Sequence, residues 1–342
     1  MAMDELDVRI AAALQINGRA TWQQVAQAVD STESTVSRRA QRLFDAGHIR
    51  VAAIADPQRC GWGYPVLVQL RCEVGEPKRV SRVLATREDV RFVALITGTF
   101  DVVVELIVPS RRYLAEVLIE QLPQIGGIRE STTESVLRNF KMSYDWSREL
   151  IREDAVAQLS DGASVATHFG HTVGLDDTER ALYALLREDG RLSFRTLAEQ
   201  IGISESRARR KVDAMVKKGA IRIATIVPSH LLGFDVECFC WIRVDLLHLE
   251  ETARMLSARP EVRYLSAASG YRDLICEVIL PSEDDLYEFE TSIVGGLPGI
   301  REVDIGLELQ TVKRAYMHFA DGGFPVRPSE FERRRRAANA TW

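Results

Sequence analysis

Two short stretches of the chain concentrate hydroxyl and guanidinium groups in a way that suits the reading of DNA. Ser34, Thr35, Ser37, Arg38, Arg39 and Arg42 crowd the first, and Ser206, Arg207, Arg209, Arg210 and Lys211 the second. Val36, Ala40 and Leu43, and likewise Ala208, Val212 and Met215, recur at helical spacing, so each polar set shares the opposite face of a helix. Arginine can bond phosphate or the edge of guanine, and hydroxyls can reach base edges or phosphates; this is the chemistry of a helix laid in the major groove. Residues 31–50 carry four basic residues against Glu33 and Asp45, and residues 204–222 carry seven against Glu205 and Asp213. These are basic islands, net +2 and +5, in a chain whose formal charge is −5, and affinity for nucleic acid follows the patch and not the sum. The competing reading, a solvated face on an interaction domain, does not explain why two copies carry matched basic helices.

Other chemistry finds little support in the residues. The five cysteines (Cys60, Cys72, Cys238, Cys240, Cys276) contain no CxxC pair, and Cys238 and Cys240 share one face of an apolar strand, as core thiols do. His168 and His171 stand in a Gly/Ser/Thr-rich stretch with no Cys or carboxylate nearby, so no metal site is expected and the two read as solvated linker residues. No Ser/His/Asp, P-loop or GxGxxG constellation occurs in its required context, which argues against an enzyme and against a bound cofactor. No apolar run approaches the roughly 18 residues of a membrane span, and the N-terminus lacks the features of a signal peptide. A soluble cytoplasmic protein is expected.

The elements that must position the two helices repeat. Adding 172 to a position in the first half lands on its counterpart in the second. Gly18-Arg19 maps to Gly190-Arg191, Gly47 to Gly219, Gly61 to Gly233, Gly98 to Gly270, Asp101 to Asp273, and Gly127-Ile128-Arg129-Glu130 to Gly299-Ile300-Arg301-Glu302. A register held from about residue 6 to residue 144 without an insertion marks an internal duplication. Each copy opens with three helical segments broken at Asn17-Gly18-Arg19 and Asp30-Ser31-Thr32, or at Asp189-Gly190-Arg191 and Gly202-Ile203-Ser204, a helix-turn-helix pattern with Thr32 and Ser204 as N-caps of the third helix. A short wing strand follows. The second half reads strand, helix, strand, strand, helix, strand, with the last strand over Ile128 to Arg138 in the first copy. The fold class is therefore α+β: two tandem copies of a winged helix-turn-helix plus a ferredoxin-like βαββαβ domain. The expected bounds are 1–55, 60–145, a linker at 146–174, 175–227, 232–317, and a basic tail at 318–342 that ends in Arg333 to Arg336 and reads as solvated or as an extra phosphate contact. A four-stranded sheet with helices on one face needs cover on the other, and a second such sheet in the same chain supplies it.

With this pattern the chain resembles the Lrp/AsnC (feast/famine) transcriptional regulators. Ser34-Thr35-Val36-Ser37-Arg38-Arg39, Gly98-Thr99-Phe100-Asp101 and Arg129-Glu130-Ser131-Thr132-Thr133 through Val136-Leu137-Arg138 carry the likeness across nearly all of residues 4–144, and the second copy carries it over 175–316. The resemblance implies double-stranded DNA as partner and an amino acid or related small molecule bound between facing sensor domains. It nominates Gly98, Thr99, Phe100, Asp101 and Thr132, with Gly270, Tyr271, Arg272 and Asp273, as ligand residues. Glycine permits close backbone approach and aspartate accepts from an ammonium group, although both also shape a β-turn. Arg272 stands where Phe100 does, and Asp304 and Gly306 where Thr132 and Glu134 do, so the two sites need not take one ligand. The resemblance implies an intrachain pseudo-dimer, with a further homodimer or higher oligomer left open. It also extends to sirohaem decarboxylases. A tetrapyrrole enzyme would need basic and histidine groups on the sensor sheets, and Val90 to Val108 and Val262 to Ile279 offer only Arg91, Arg263 and Arg272. An amino-acid sensor without DNA binding is the third reading.

Overall fold

Capping residues set the bounds of the helices in each helix-turn-helix unit. In the computed structural model, which describes residues 3–142, 144–160, 172–319 and 324, the Asp4 and Thr21 side chains accept from N–H groups of the first turns of α1 (Glu5–Ile16) and α2 (Trp22–Ala28). Thr32 caps α3 (Glu33–Asp45) in the same way, and the wing strand β1 (Arg50–Ala55) follows. The first sensor domain is β2 (Tyr64–Cys72), α4 (Pro77–Ala85), β3 (Val90–Ile96), β4 (Val102–Val108), α5 (Arg111–Glu116) and β5 (Ile128–Met142). A short helix, α6 (Glu153–Leu159), begins the connection and packs Ala155 and Leu159, with Ile151 just before it, into the core of the first helix-turn-helix. The second copy repeats the series: α7 (Asp177–Glu188), α8 (Phe194–Ile201), α9 (Glu205–Lys217) and β6 (Ile221–Ile226), then β7 (Val236–Val244), α10 (Leu249–Ser257), β8 (Val262–Ala268), β9 (Leu274–Leu280), α11 (Glu283–Glu288), β10 (Ile300–Arg314) and β11 (Met317–His318). The expected fold class is the observed one. All five cysteines are buried and unpaired. Among the described residues no helix is long and apolar enough to cross a membrane.

The two copies are joined by their last strands. Residues 128–135 of β5 pair with β2 of their own domain, and residues 136–142 pair with β8 of the other. The mirror arrangement holds for β10, which pairs with β7 over residues 300–307 and with β3 over residues 308–313. The strand expected to stop at Arg138 therefore runs on to Met142, because the other copy supplies a new edge for it. Between the facing sheets lies an apolar layer of Leu67, Phe92, Val103, Phe239, Trp241 and Ile275. Phe239 and Trp241 stack at 5.6 Å. The predicted pairing of the two sensor sheets thus occurs within one chain, by exchanged strand ends as well as by apposed faces.

The tail is more structured at its start than its composition suggests. Met317 and Phe324 join Ala52, Ile54, Ala224 and Ile226 in a small core beneath the wings, and the Phe324 N–H donates to the Gly47 carbonyl at 2.9 Å. The linker histidines His168 and His171 and the run Arg333 to Arg336 lie outside the described residues.

Candidate nucleic-acid interface and ligand seam

Wing strands β1 and β6 form an antiparallel two-stranded ribbon, from Arg50 opposite Ile226 to Ala55 opposite Ile221, and so bring the two helix-turn-helix units together. The repeated Gly-Arg pair closes the contact. Arg19 donates to the carbonyls of Gly190 at 2.6 Å and Leu192 at 3.0 Å, and its guanidinium lies 4.7 Å over the Phe194 ring. Arg191 returns the contact to Gly18 at 2.6 Å and Ala20 at 3.0 Å, lying 4.1 Å over Trp22. Burial, with Arg19 nearby, pushes Arg191 down to about 10. Glycine is required before each arginine because a Cβ at Gly18 or Gly190 would come within 2.9 or 2.8 Å of Val51. The sequence displays this pair twice, but nothing local says that it reaches across to the other copy.

On the reading helices the side chains divide into two groups. Ser34, Arg38, Ser206, Arg207, Arg209 and Arg210 are exposed, with Thr35 and Ser37 half-buried. Arg209 lies 4.4 Å over Phe194. Arg39, Arg42 and Lys211, expected among the DNA contacts, are instead held inside their own modules. Arg39 pairs with Asp4 at 2.6 Å and Asp7 at 2.9 Å, and Arg42 with Asp7 at 2.6 Å. Lys211 sits at the position equivalent to Arg39 and pairs with Asp176 and Glu179. Asp7 is 1% exposed, and a carboxylate that deep needs a cation partner, so these basic groups clamp the first helix of each unit to the third. The reading face is correspondingly unequal: hydroxyls with Arg38 on α3, three arginines with Ser206 on α9.

Each sensor loop rests on the long strand of the other copy. In the first loop the Thr97 N–H donates to the Leu307 carbonyl at 2.8 Å, and the Leu307 N–H returns to Thr97 Oγ1 at 2.9 Å. In the second, the Ser269 N–H donates to the Ser135 carbonyl at 2.9 Å and the Ser135 N–H to Ser269 Oγ at 3.1 Å. Gly98 and Gly270 have φ of 95° and 138°, which favours glycine. The aspartates have a structural task. Asp101 Oδ2 accepts from the Cys72 N–H at 2.7 Å, and Asp273 Oδ2 from the Val244 N–H at 2.9 Å, ending β2 and β7. Thr132 pairs with Gln69 in the β5–β2 register, and the Thr99 carbonyl accepts from Arg71.

The two loops face different surroundings. Phe100 packs edge-on against Trp241 at 6.1 Å, so an aromatic wall lies beside the first. Beside the second, Arg272 pairs with Glu302 at 2.6 Å, and Tyr271 Oη donates to Glu302 at 3.1 Å. Buried Glu134 lies under Gly270 and accepts from Gln69 Nε2 at 2.8 Å, and burial raises its carboxyl above the usual range. Gln69 and Trp241 were not anticipated, although the unlike pair Glu134 and Gly306 in the repeat alignment was the available signal.

Comparison with known proteins fits this geometry. The AsnC-type helix-turn-helix domain matches residues 3–43, a winged helix-turn-helix DNA-binding domain matches 175–222, and the Lrp/AsnC ligand binding domain matches twice, at 65–146 and 237–317. An uncharacterized HTH-type transcriptional regulator of Pyrococcus furiosus is 33% identical over 140 residues, 41% of this chain and 94% of the relative. The HTH-type transcriptional regulator Ptr1 of Methanocaldococcus jannaschii is 29% identical over 141 residues, 41% of this chain and 95% of the relative. Each relative thus corresponds to one module, and this chain holds two. Over the whole chain, a crystal structure of the siroheme decarboxylase NirDL shares the fold, with a TM-score of 0.58 at 14% identity and 99% of both chains covered.

Proposed function

The chain belongs to the Lrp/AsnC family, and on that premise we propose that it is a cytoplasmic transcriptional regulator whose two helix-turn-helix units bind one DNA site together. The observation that carries the reading is the fixed pairing of unlike reading helices. The wing ribbon and the reciprocal arginines hold α3 and α9 as a two-fold-related pair. Ser37 of α3 occupies the position of Arg209 of α9, and Thr35 that of Arg207. Such a pair reads two unlike half-sites about one helical turn, 10–10.5 bp, or a multiple of it apart. An amino acid or related small molecule at the sensor seam shifts the packing of the loops against β5 and β10 and so the platform beneath the wings. The differing surroundings of Gly98 and Gly270 support unequal affinities at the two sites, and no cofactor enters the mechanism.

The reading as an enzyme of tetrapyrroles rests on a shared fold. Its expected bases are spoken for: Arg91 pairs with Glu105 at 2.5 Å, Arg263 with Glu237 at 2.5 Å and also with Glu277, and Arg272 with Glu302. Selection from random duplex DNA tests the proposal. Recovery of an asymmetric site whose binding weakens on Arg38→Ala and on Arg207→Ala/Arg210→Ala supports it. A perfect palindrome would refute unlike half-sites. No retained DNA, together with carbon dioxide release on addition of sirohaem, would replace the regulator with the enzyme.

A further inference from the structure

The duplication allows one surface to be compared with its own counterpart. On α1 the face made by Val8, Ala11, Ala12 and Gln15 lies at or beneath the packing surface, and Gln15 Oε1 accepts from the Ser147 N–H of the following segment at 3.3 Å. The equivalent face of α7 is Arg180, Tyr183, Ala184 and Arg187, with both arginines exposed. That face opens onto a cleft of about 1210 Å³ between the second helix-turn-helix and the first sensor domain. A volume above the ~300–1,000 Å³ of ordinary small-ligand pockets is more than an amino acid needs.

The other walls suit the same kind of occupant. Five cations (Arg50, Arg87, Arg180, Arg187 and Lys313) line the cleft against three carboxylates (Glu88, Asp89, Glu188). Arg87 is held by Asp89 at 2.7 Å and Arg50 by Glu188 at 3.2 Å, whereas Arg180 and Arg187 are exposed, paired at the surface with Asp177 at 2.7 Å and Glu188 at 3.7 Å, where water and a competing anion can reach them. Lys313 is 4% exposed and donates to the Arg87 carbonyl at 2.6 Å. Its burial pushes the ammonium down to about 8, a penalty that a bound anion would relieve. Flat surfaces alternate with the charges: Trp62 packs on Tyr183 with ring centroids 5.3 Å apart, and Tyr113 and Tyr316 line the cleft nearby. Tyr316 is presented by a two-residue turn between β10 and β11 in which Ala315 and Tyr316 have φ of 51° and 65°. Glycine and asparagine are the usual residues there, so the backbone holds a tyrosine against the cleft in a conformation that tyrosine disfavours.

We propose that this cleft is a second ligand site, separate from the sensor loops, for an aromatic ring system bearing several carboxylate or phosphate groups. Rings would lie against Trp62 and the tyrosines while the anionic groups meet Arg180, Arg187 and Lys313. Such a ligand would tie α7 to the first sensor domain and so fix the second reading helix relative to the sensor pair.

The test uses the full chain and two probes, uroporphyrin III for polycarboxylates and ATP for phosphates, with Trp62 fluorescence as readout and Trp62→Phe to assign the signal. Saturable quenching by either probe at micromolar concentration is expected, and the arm that responds identifies the anionic group. Arg180→Glu/Arg187→Glu should weaken that binding at least tenfold, and Lys313→Met several-fold, with thermal melting used to verify that each variant is folded. Folded Arg187→Ala serves as the milder variant should the double change unfold α7, with a loss of at least threefold expected. No saturable quenching by either probe, or quenching unchanged in the folded arginine variants, would overturn the site.

Discussion

Replacing Arg191 with methionine tests whether the pairing of the two units, and not merely their presence, sets DNA affinity. The side chain makes two charged hydrogen bonds to carbonyls of the other unit, at 2.6 and 3.0 Å, and stacks 4.1 Å over Trp22. Charged hydrogen bonds contribute about 1.5–3 kcal/mol each, and a partly desolvated cation–π contact about 1–2 kcal/mol. Against this stands the cost of burying the guanidinium. Its descent from 12.5 to about 10 corresponds to roughly 3 kcal/mol, trimmed by solvent at the open edge. The net worth is then about 2–4 kcal/mol, and methionine keeps much of the contact with the Trp22 ring while leaving the Gly18 and Ala20 carbonyls without their donor. Nothing in the change touches a reading helix. On a duplex carrying both half-sites at the selected spacing, affinity should fall about 30- to 100-fold, the lower part of that range in free energy. On a duplex carrying one half-site it should stay within about twofold. Equal losses on both duplexes would show that Arg191 supports the fold of one unit and not the pairing. Unchanged affinity on both would show that the wing ribbon alone sets the spacing.

Arg39 and the arginines of α9 should separate cleanly. Arg39→Ala, which strips buried Asp7 of one of its two cations, should lower thermal stability with the salt dependence of DNA binding intact, whereas Arg207→Ala/Arg210→Ala should leave stability alone and reduce the slope of log K against log salt by about 2. A reduced slope for Arg39→Ala would return it to the DNA face. Glu308 governs a pH response: burial beside Glu237 and Glu277 raises its carboxyl from 4.5 to about 7 despite the bonds from Arg314, so its folded form favours the proton. Its contribution to stability should therefore decline as pH rises from about 4.5 to about 7, against an opposite contribution from His48 and His318, which burial holds below the usual histidine value; Glu308→Gln should remove the declining part and raise the melting temperature at pH 8 relative to wild type. Glu277, held down at about 2, acts with the opposite sign and only below about 4.5, outside this window. An undiminished decline in Glu308→Gln would assign the response elsewhere. Gly306→Ala should destabilise the sandwich by about 1–3 kcal/mol in chemical denaturation, because its Cβ would lie 2.7 Å from the Thr97 carbonyl oxygen and 3.2 Å from Trp241. A neutral result would mean that the first loop yields at that point.

What could be read from the chain was whatever is local or repeated. The caps Thr32 and Ser204, the apolar stripes of α3 and α9 and the register of 172 fixed the module and its duplication, because each is written in consecutive residues. What escaped reading depends on a distant partner. Arg39 and Arg38 are adjacent and alike, and only the position of Asp7, 32 residues earlier in the chain, makes one a clamp and leaves the other exposed. Residues 139–142 lie beyond the strand that the sequence predicts, and they extend it because β8 of the other copy offers them an edge. Phe324 sits in a Gly/Pro-rich stretch that composition alone marks as tail, yet the Gly47 carbonyl and the core beneath the wings hold it.

The same division explains where the copies have diverged. The Gly-Arg pair that joins the two halves is kept in kind, Gly18-Arg19 with Gly190-Arg191, as is the buried ion pair inside each sensor sheet, Arg91–Glu105 with Arg263–Glu277. Positions on the reading helices and along the sensor seam differ, Ser37 against Arg209, Phe100 against Arg272 and Glu134 against Gly306, as does the face of the first helix, where buried Ala11 and Gln15 stand against Tyr183 and Arg187. A symmetric homodimer carries any change in both subunits at once, so a glutamate introduced under one loop appears under the other. Fusion into one chain removes that constraint. The joining surface must still be complementary to itself, since each arginine needs the other copy's carbonyls, but each reading helix, sensor loop and α1-type face can change alone. The pattern of likeness across the 172-residue offset thus separates residues that hold the pseudo-dimer together from residues with separate tasks, and the exposed arginines of α7 fall on the second side.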